Sequence, residues 1–160
     1  MSKLFSKVPL VMLFALCFPA VALMPEAQAT NFRWQCVTFA RSFSGIEIRG
    51  NAHTWWEQSA GRYHRSSRPE VGAVLVFKSF GTGGMRLGHV ATISEVLNNR
   101  EVLITHANWT GKGEVDTNVR AVDVSPSGDW SRVRVWYPPV NDLGRTAYPA
   151  FGFIHPNYEG

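Results

Sequence analysis

Hydrophobic residues in the first half of the chain recur at helical spacing in two segments. Between residues 36 and 43 the apolar positions fit a helical stripe and not strand alternation: Val37, Phe39, Ala40 and Phe43. This pattern predicts a helix with Cys36 in its first turn. A second helix is predicted in NAHTWWEQSAG, residues 51–61, because the segment ends in a glycine, a common helix stop.

The rest of the chain has the patterns of strands. GAVLVF, residues 72–77, is apolar throughout and predicts a buried strand. LGHVATISEV, residues 87–96, and VLITHANW, residues 102–109, predict two strands that the LNNRE segment would join as a hairpin. SRVRVWYPP, residues 131–139, predicts a late alternating strand. The segment from about 138 to 160 is rich in Gly, Pro and aromatics, and we expect an ordered tail that wraps the domain.

Residues 1–29 have the pattern of a signal peptide. Two lysines precede an apolar run from Val8 to Leu23, and AQA at residues 27–29 supplies the small residues that signal peptidase requires. A retained membrane anchor is the weaker alternative, because the run is shorter than a membrane span and contains Pro19. We therefore expect cleavage after Ala29, no stable membrane insertion afterwards, and a periplasmic or secreted protein.

Residues 30–160 would then be the mature chain. Subtracting 29 residues from 160 leaves 131, which suits a single domain with a core of its own. The formal charge of the whole chain is +4, and removal of Lys3, Lys7 and Glu26 leaves +3. The basic residues are scattered, so no nucleic-acid partner is predicted, although weak attraction to an anionic surface such as a cell wall is compatible with this charge.

Cys36 would be the lone cysteine of the mature chain. Cys17 lies in the predicted signal peptide, and an internal disulfide is therefore excluded. An inert buried thiol and an intermolecular disulfide are the simpler alternatives. At the first turn of a helix, however, free amides and the helix dipole favour a thiolate and can hold an oxyanion. Cys36 is thus a candidate nucleophile, for which we expect a lowered pKa.

The five histidines fall into two groups. Two lie on the strands of the predicted hairpin, His89 and His106. For the other three, His53, His64 and His155, we expect structural roles, because they lie in a helical segment, a polar loop and the tail.

A proton relay follows if the two strands pair. Gly88 lets another backbone or a substrate come close to His89. His89 would take the proton of Cys36, and His106 or Asn108 on the second strand would bind the other imidazole nitrogen. A solvated polar face of the sheet is the alternative for these side chains.

The order of these segments resembles the CHAP family, the cysteine, histidine-dependent amidohydrolases and peptidases. WQC, NAHTWWEQSAG, RPEVGAVLVF, GHVATI and HANW follow one another at family-like intervals between residue 32 and about residue 110. The resemblance implies a papain-like α+β fold, in which an N-terminal helix carrying the nucleophile packs on an antiparallel sheet. It also implies cleavage of amide bonds, very often those of peptidoglycan.

The resemblance assigns roles to single residues. Cys36 matches the nucleophile, His89 the general base and Asn108 the strand asparagine of the family. His106 stands where the family often has an acid, and we place it ahead of Asn108 as the residue that orients His89. Gln35 matches the residue beside the nucleophile, and its side chain or the Cys36 N–H would hold the oxyanion.

Substrate contacts are expected from Trp109 and Arg86, with core packing as the alternative for the tryptophan. Some CHAP relatives hold calcium with acidic residues before the cysteine, but TNFRW, residues 30–34, has no carboxylate. No metal and no cofactor are therefore predicted.

The sequence predicts an exported cysteine hydrolase, a peptidoglycan amidase or endopeptidase that acts through a thioester. Three alternatives remain open: a non-wall amidohydrolase similar to glutathionylspermidine amidase, a catalytically silent wall-binding domain, and an effector delivered to competing bacteria. The presence of Cys36 and His89 argues against the silent domain.

Overall fold

The computed structural model describes residues 33–156, most of them in antiparallel strands. The strands are β1 (His64–Ser66), β2 (Val74–Phe77), β3 (His89–Asn98), β4 (Glu101–Ala107), β5 (Val115–Asp123), β6 (Arg132–Tyr137), β7 (Asp142–Leu143) and β8 (Tyr148–His155). Two short α-helices lie in this range, α1 (Cys36–Ser44) and α2 (Trp55–Gln58), with 3-10 turns at Ala52–Thr54, Gly84–Leu87 and Pro138–Val140. No helix among the described residues is long and apolar enough to cross a membrane. The predicted signal peptide, with Cys17 and its cleavage site, lies outside them.

Six strands form a closed antiparallel barrel. Their order is β8, β2, β3, β4, β5 and β6, and β6 pairs with β8 again to close the ring. The closing pairs are Arg132 with Pro149 and Val133 with Tyr148. β1 pairs with the last residues of β8, up to His155, and β7 pairs with the last residues of β6, up to Tyr137. Closure gives the barrel strands partners on both sides, which removes exposed sheet edges.

The predicted α+β papain-like fold, with the nucleophile helix packed on an antiparallel sheet, is wrong. The described chain is mostly β, and its sheet closes into a barrel. The segment of the second predicted helix, residues 51–61, contains only a 3-10 turn and the four residues of α2. The segment expected to wrap the domain as a tail contains β8, which pairs with β1, β2 and β6. Because these partners are far from β8 in the sequence, no local sequence pattern distinguishes a barrel strand from an extended tail.

Two apolar clusters hold the fold together, one inside the barrel and one outside it. β2 contributes to both: Leu75 and Phe77 belong to the inner cluster, whereas Val74 and Val76 belong to the outer one. All four β2 side chains are buried, which confirms the prediction of a buried strand. The outer cluster includes Ala40 of α1, so the helix lies against the outside of the barrel.

The helix that carries Cys36 begins where the sequence predicts. α1 starts at Cys36, after Gln35 in an extended conformation, and the Gln35 N–H donates to Thr38 Oγ1 over 3.1 Å. The helix ends at Ser44. Gly45 follows it with a left-handed φ of 75°, and the Gly45 N–H donates to the Arg41 carbonyl. This confirms a helix with Cys36 in its first turn.

The hairpin of β3 and β4 is also confirmed, with Thr92 opposite Thr105. Gly88, just before β3, has a φ of +72°, and a Cβ there would lie 2.7 Å from the His53 backbone nitrogen. We expected Gly88 to let either a substrate or another backbone come close, and the structure shows the close approach of another backbone. The His53 Nδ1 also lies 3.0 Å from the Leu87 carbonyl oxygen, so the loop leading to His89 is held at two points.

Gly88→Ala should lower the free energy of unfolding more than Gly81→Ala. Gly81 has a φ of +64°, where an alanine is strained by about 1–3 kcal/mol, whereas Gly88, with a φ of +72° and a ψ of −172°, lies in a region that essentially only glycine adopts. At Gly88 the new methyl group would also meet backbone atoms, whereas nothing lies within 4 Å at Gly81. Urea unfolding of both variants measures the difference. Equal losses would contradict the close approach of the His53 backbone.

Candidate active site

One cleft of about 1270 Å³ is lined by five of the predicted site residues: Gln35, Cys36, His89, Asn108 and Trp109. The start of α1, the loop before β3 and the end of β4 form one part of the cleft, and residues 134–148 form another. Arg86 does not line the cleft, although its neighbours Met85 and Leu87 do.

The Cys36 thiol is half-buried at the first turn of α1. Burial raises the pKa of the Cys36 thiol above its ordinary value, and this effect is larger than the opposing effect of backbone hydrogen bonds at Val90, Val37 and Cys36 itself. The expected lowered pKa is therefore not found, because loss of hydration outweighs the amides of the helix start. Cys36 is a neutral thiol near neutral pH, and its hydrogen bond to Val90 places it beside the residue that follows His89.

His89 and His106 form a buried pair. His89 Nε2 lies 2.9 Å from His106 Nδ1, and the rings are nearly perpendicular, at 80°. Burial, and next the charge of His106, hold the pKa of His89 well below its ordinary value. Burial also lowers the pKa of His106 to about 3. Both rings are thus neutral, and their contact uses His89 Nε2, so Nδ1 is the His89 nitrogen that remains for another group.

Aromatic rings enclose this pair. The Trp109 ring centroid lies 4.9 Å from that of His89 and 5.4 Å from that of His106. Phe77 lies against His89, and Tyr148 lies against Trp109. These rings exclude water from the imidazoles, which is the physical origin of their lowered pKa values. Trp109 packs on the histidines and lines the cleft as well.

Asn108 makes different contacts from those expected of an orienting residue. Its Nδ2 donates to Gln35 Oε1 over 3.3 Å, and its Oδ1 accepts from the Gly113 N–H over 3.0 Å. Its φ of 65° is left-handed, which turns the chain sharply after β4. These contacts place His106 beside His89 and Asn108 beside Gln35.

A family model of the CHAP domain matches residues 27–108 of the sequence. The chain belongs to the CHAP family. Among solved structures, it is similar to an N-acetylmuramoyl-L-alanine amidase from Staphylococcus aureus, with 19% sequence identity and a TM-score of 0.49. That similarity covers 73% of this chain but only 30% of the amidase chain. No curated protein sequence matches. Membership in the CHAP family supports a hydrolase.

The CHAP match contains Cys36, His89, His106 and Asn108 but not the cleft wall at residues 134–148. That wall includes the second half of β6, the 3-10 turn after it and β7. The candidate reacting groups therefore lie in the matched segment, whereas part of the cleft lies beyond it.

His106 contacts His89 but does not itself line the cleft, and neither do the other three histidines, His53, His64 and His155. His155 has structural contacts with Ser66 Oγ at 2.8 Å and with Glu70 Oε2 at 3.2 Å. In residues 33–156, no three His, Cys, Asp or Glu side chains are grouped so that they could hold a metal ion.

Sequence reasoning missed Asp116, which is paired with His106 across β4 and β5. The signal was available: two glycines, Gly111 and Gly113, lie between HANW and the alternating EVDTN segment. Glycine in a short segment between two strands indicates a hairpin, and a hairpin here would bring Asp116 towards His106.

Alkylation of Cys36 should be slow at neutral pH and should still accelerate above about pH 8.5, the ordinary thiol pKa. The thiolate is the reactive form, and burial disfavours it, so its population rises only at higher pH. Intact-mass measurement of iodoacetamide adducts against pH tests this. The peptide RWQCVTF, residues 33–39, is the matched unfolded control. A rate that is already constant at neutral pH would instead indicate a thiolate–imidazolium pair.

Proposed function

We propose that this protein is an exported cysteine hydrolase that cleaves an amide bond of peptidoglycan through a thioester on Cys36. The observation that carries the proposal is the placement of the thiol in one cleft with His89, whose imidazole is paired with His106. Membership in the CHAP family supports the same chemistry. The signal-peptide pattern of residues 1–29 supports export.

In the first step, Cys36 Sγ attacks the amide carbon while its proton passes to His89 Nδ1. The starting state holds a neutral thiol and a neutral imidazole, so the proton moves as the S–C bond forms. His89 then carries a positive charge in a buried site, and His106 stabilises it by accepting a hydrogen bond from His89 Nε2.

The developing oxyanion needs donors near Cys36. Gln35 Nε2 and the Cys36 backbone N–H are the proposed donors, and both belong to the start of α1. Asn108 holds the Gln35 carboxamide by its oxygen, which directs the nitrogen away from that contact. Donors fixed before the reaction stabilise the transition state without reorganising.

The intermediate then collapses to a thioester. The C–N bond breaks, and the leaving amine takes the proton from His89. A water molecule next attacks the thioester carbon and gives a proton to His89 Nδ1. The C–S bond breaks, Cys36 regains a proton, and the acid product leaves.

Peptidoglycan suits the site for three reasons. It is an abundant amide outside the cytoplasm, where the signal-peptide pattern directs the chain. The cleft of about 1270 Å³ is larger than a site for one small metabolite requires. The mature charge of +3 favours contact with an anionic wall.

The direct test is incubation of the mature protein with purified peptidoglycan, followed by mass spectrometry of the released fragments. Cys36→Ala and His89→Ala should each lower the release rate by at least about 10³-fold, because the relay acts as a unit. Fragment masses then identify the bond. Release that does not depend on Cys36 would contradict the mechanism. A folded wild-type enzyme that releases nothing would exclude peptidoglycan and favour a non-wall amide.

Gln35→Ala should lower kcat by about 10²–10³-fold, as expected for loss of one oxyanion donor. Asn108→Ala should lower kcat as well, because it frees the Gln35 carboxamide. The two losses should not add, since both act through the same donor. Kinetics of the two single variants and the double variant measure this coupling. Fully additive losses would mean that Asn108 acts on another group.

A further inference from the structure

One polar atom of the buried histidine pair has no hydrogen-bond partner among residues 33–156. This atom is His106 Nε2, which is buried. The nearest charged group is the Asp116 carboxylate, with Oδ2 at 3.8 Å. Asp116 lies on β5 directly opposite His106 on β4, so the sheet register itself places the carboxylate there.

The Asp116 carboxylate is held in place by one neighbour. Thr110 Oγ1 donates to Oδ1 over 2.6 Å, and the Thr110 N–H donates to Oδ2 over 3.3 Å. The side chain is only 12% exposed. Because both oxygens already accept hydrogen bonds, Asp116 presents an acceptor and not a donor to His106 Nε2.

An acceptor at this position decides which nitrogen of each imidazole carries the proton. It favours Nε2–H on His106, which makes His106 Nδ1 an acceptor. The 2.9 Å contact then requires Nε2–H on His89, which leaves the His89 Nδ1 lone pair free. The opposite arrangement would put a proton on His89 Nδ1 and a lone pair of His106 against the carboxylate. In that arrangement His89 could not accept the Cys36 proton.

We propose that Asp116 is a positioning residue that selects this tautomer of both histidines, which extends the relay from Cys36, His89 and His106 to Asp116. The proposal rests on the function proposed above for the role of His89 as base. At 3.8 Å the contact acts through charge and not through a hydrogen bond. Catalytic hydrogen bonds that are long without substrate commonly shorten in its complex.

The test is ¹⁵N NMR of the histidine rings in the full mature protein without substrate. The wild type should carry its protons on Nε2 of both His89 and His106. Asp116→Leu removes the acceptor at similar size, and the proton should then move towards Nδ1 on both rings. Asp116→Glu retains the carboxylate charge and should keep the wild-type tautomers, whereas Asp116→Asn removes the charge at similar size and should shift them as Asp116→Leu does.

Thr110→Val is the matched control for a merely structural role. It removes the hydroxyl contact with Asp116 but leaves the carboxylate in the chain. This variant should keep Nε2–H on both rings. If Asp116 acted only by holding the loop through Thr110, Thr110→Val would change the rings as much as Asp116→Leu does.

Kinetics give the second readout. Asp116→Leu should lower kcat by about 10–100-fold at unchanged KM, by analogy with the loss of an outer hydrogen-bond partner of a metal-bound histidine. Asp116→Glu should recover most of it, and Asp116→Asn should not. Unchanged tautomers in Asp116→Leu, or an equal shift in Thr110→Val, would overturn the proposal. The two NMR results are obtained without substrate, so they test the role of Asp116 alone. An inactive wild type would count only against the proposed function.

Discussion

The contact between His89 and His106 is the interaction on which the rest of the site depends. Two imidazoles 2.9 Å apart in a dry environment cannot both be charged, and burial lowers both pKa values so that the free protein holds both rings neutral. The hydrogen bond between them therefore contains one proton, and either His89 or His106 is its donor. The identity of the donor determines whether His89 offers a lone pair or a proton to Cys36. The barrel supplies the burial, because His89 and His106 lie on adjacent strands and Trp109 packs on both rings.

The sequence was sufficient to predict local elements but not the architecture. The start of α1 at Cys36, the buried strand β2 and the hairpin of β3 and β4 follow from periodicity over short segments. The barrel depends on β8, which pairs with β6 and β2 far from it in sequence. Segment 138–160 contains prolines and glycines that favour irregular structure locally, and tertiary pairing overrides that preference.

The candidate site shows the same division between local and long-range information. Residue types and spacing were enough to select Cys36 and His89, which line one cleft. They could not decide the partner of each polar side chain. The left-handed turn at Asn108 directs its carboxamide to Gln35. Residue types and spacing also could not predict the raised pKa of Cys36, because burial outweighs the local effect of the helix start.

The protonation state of the histidine pair tests the central claim most directly. ¹⁵N NMR of the histidine rings in the wild-type protein, followed from about pH 7.5 down to about pH 5, covers the ordinary histidine pKa near 6.5. We expect His89 and His106 to stay neutral over this range, because burial lowers both pKa values. A second proton on either ring between about pH 6 and pH 7 would show that the pair is solvated and would contradict the buried neutral relay.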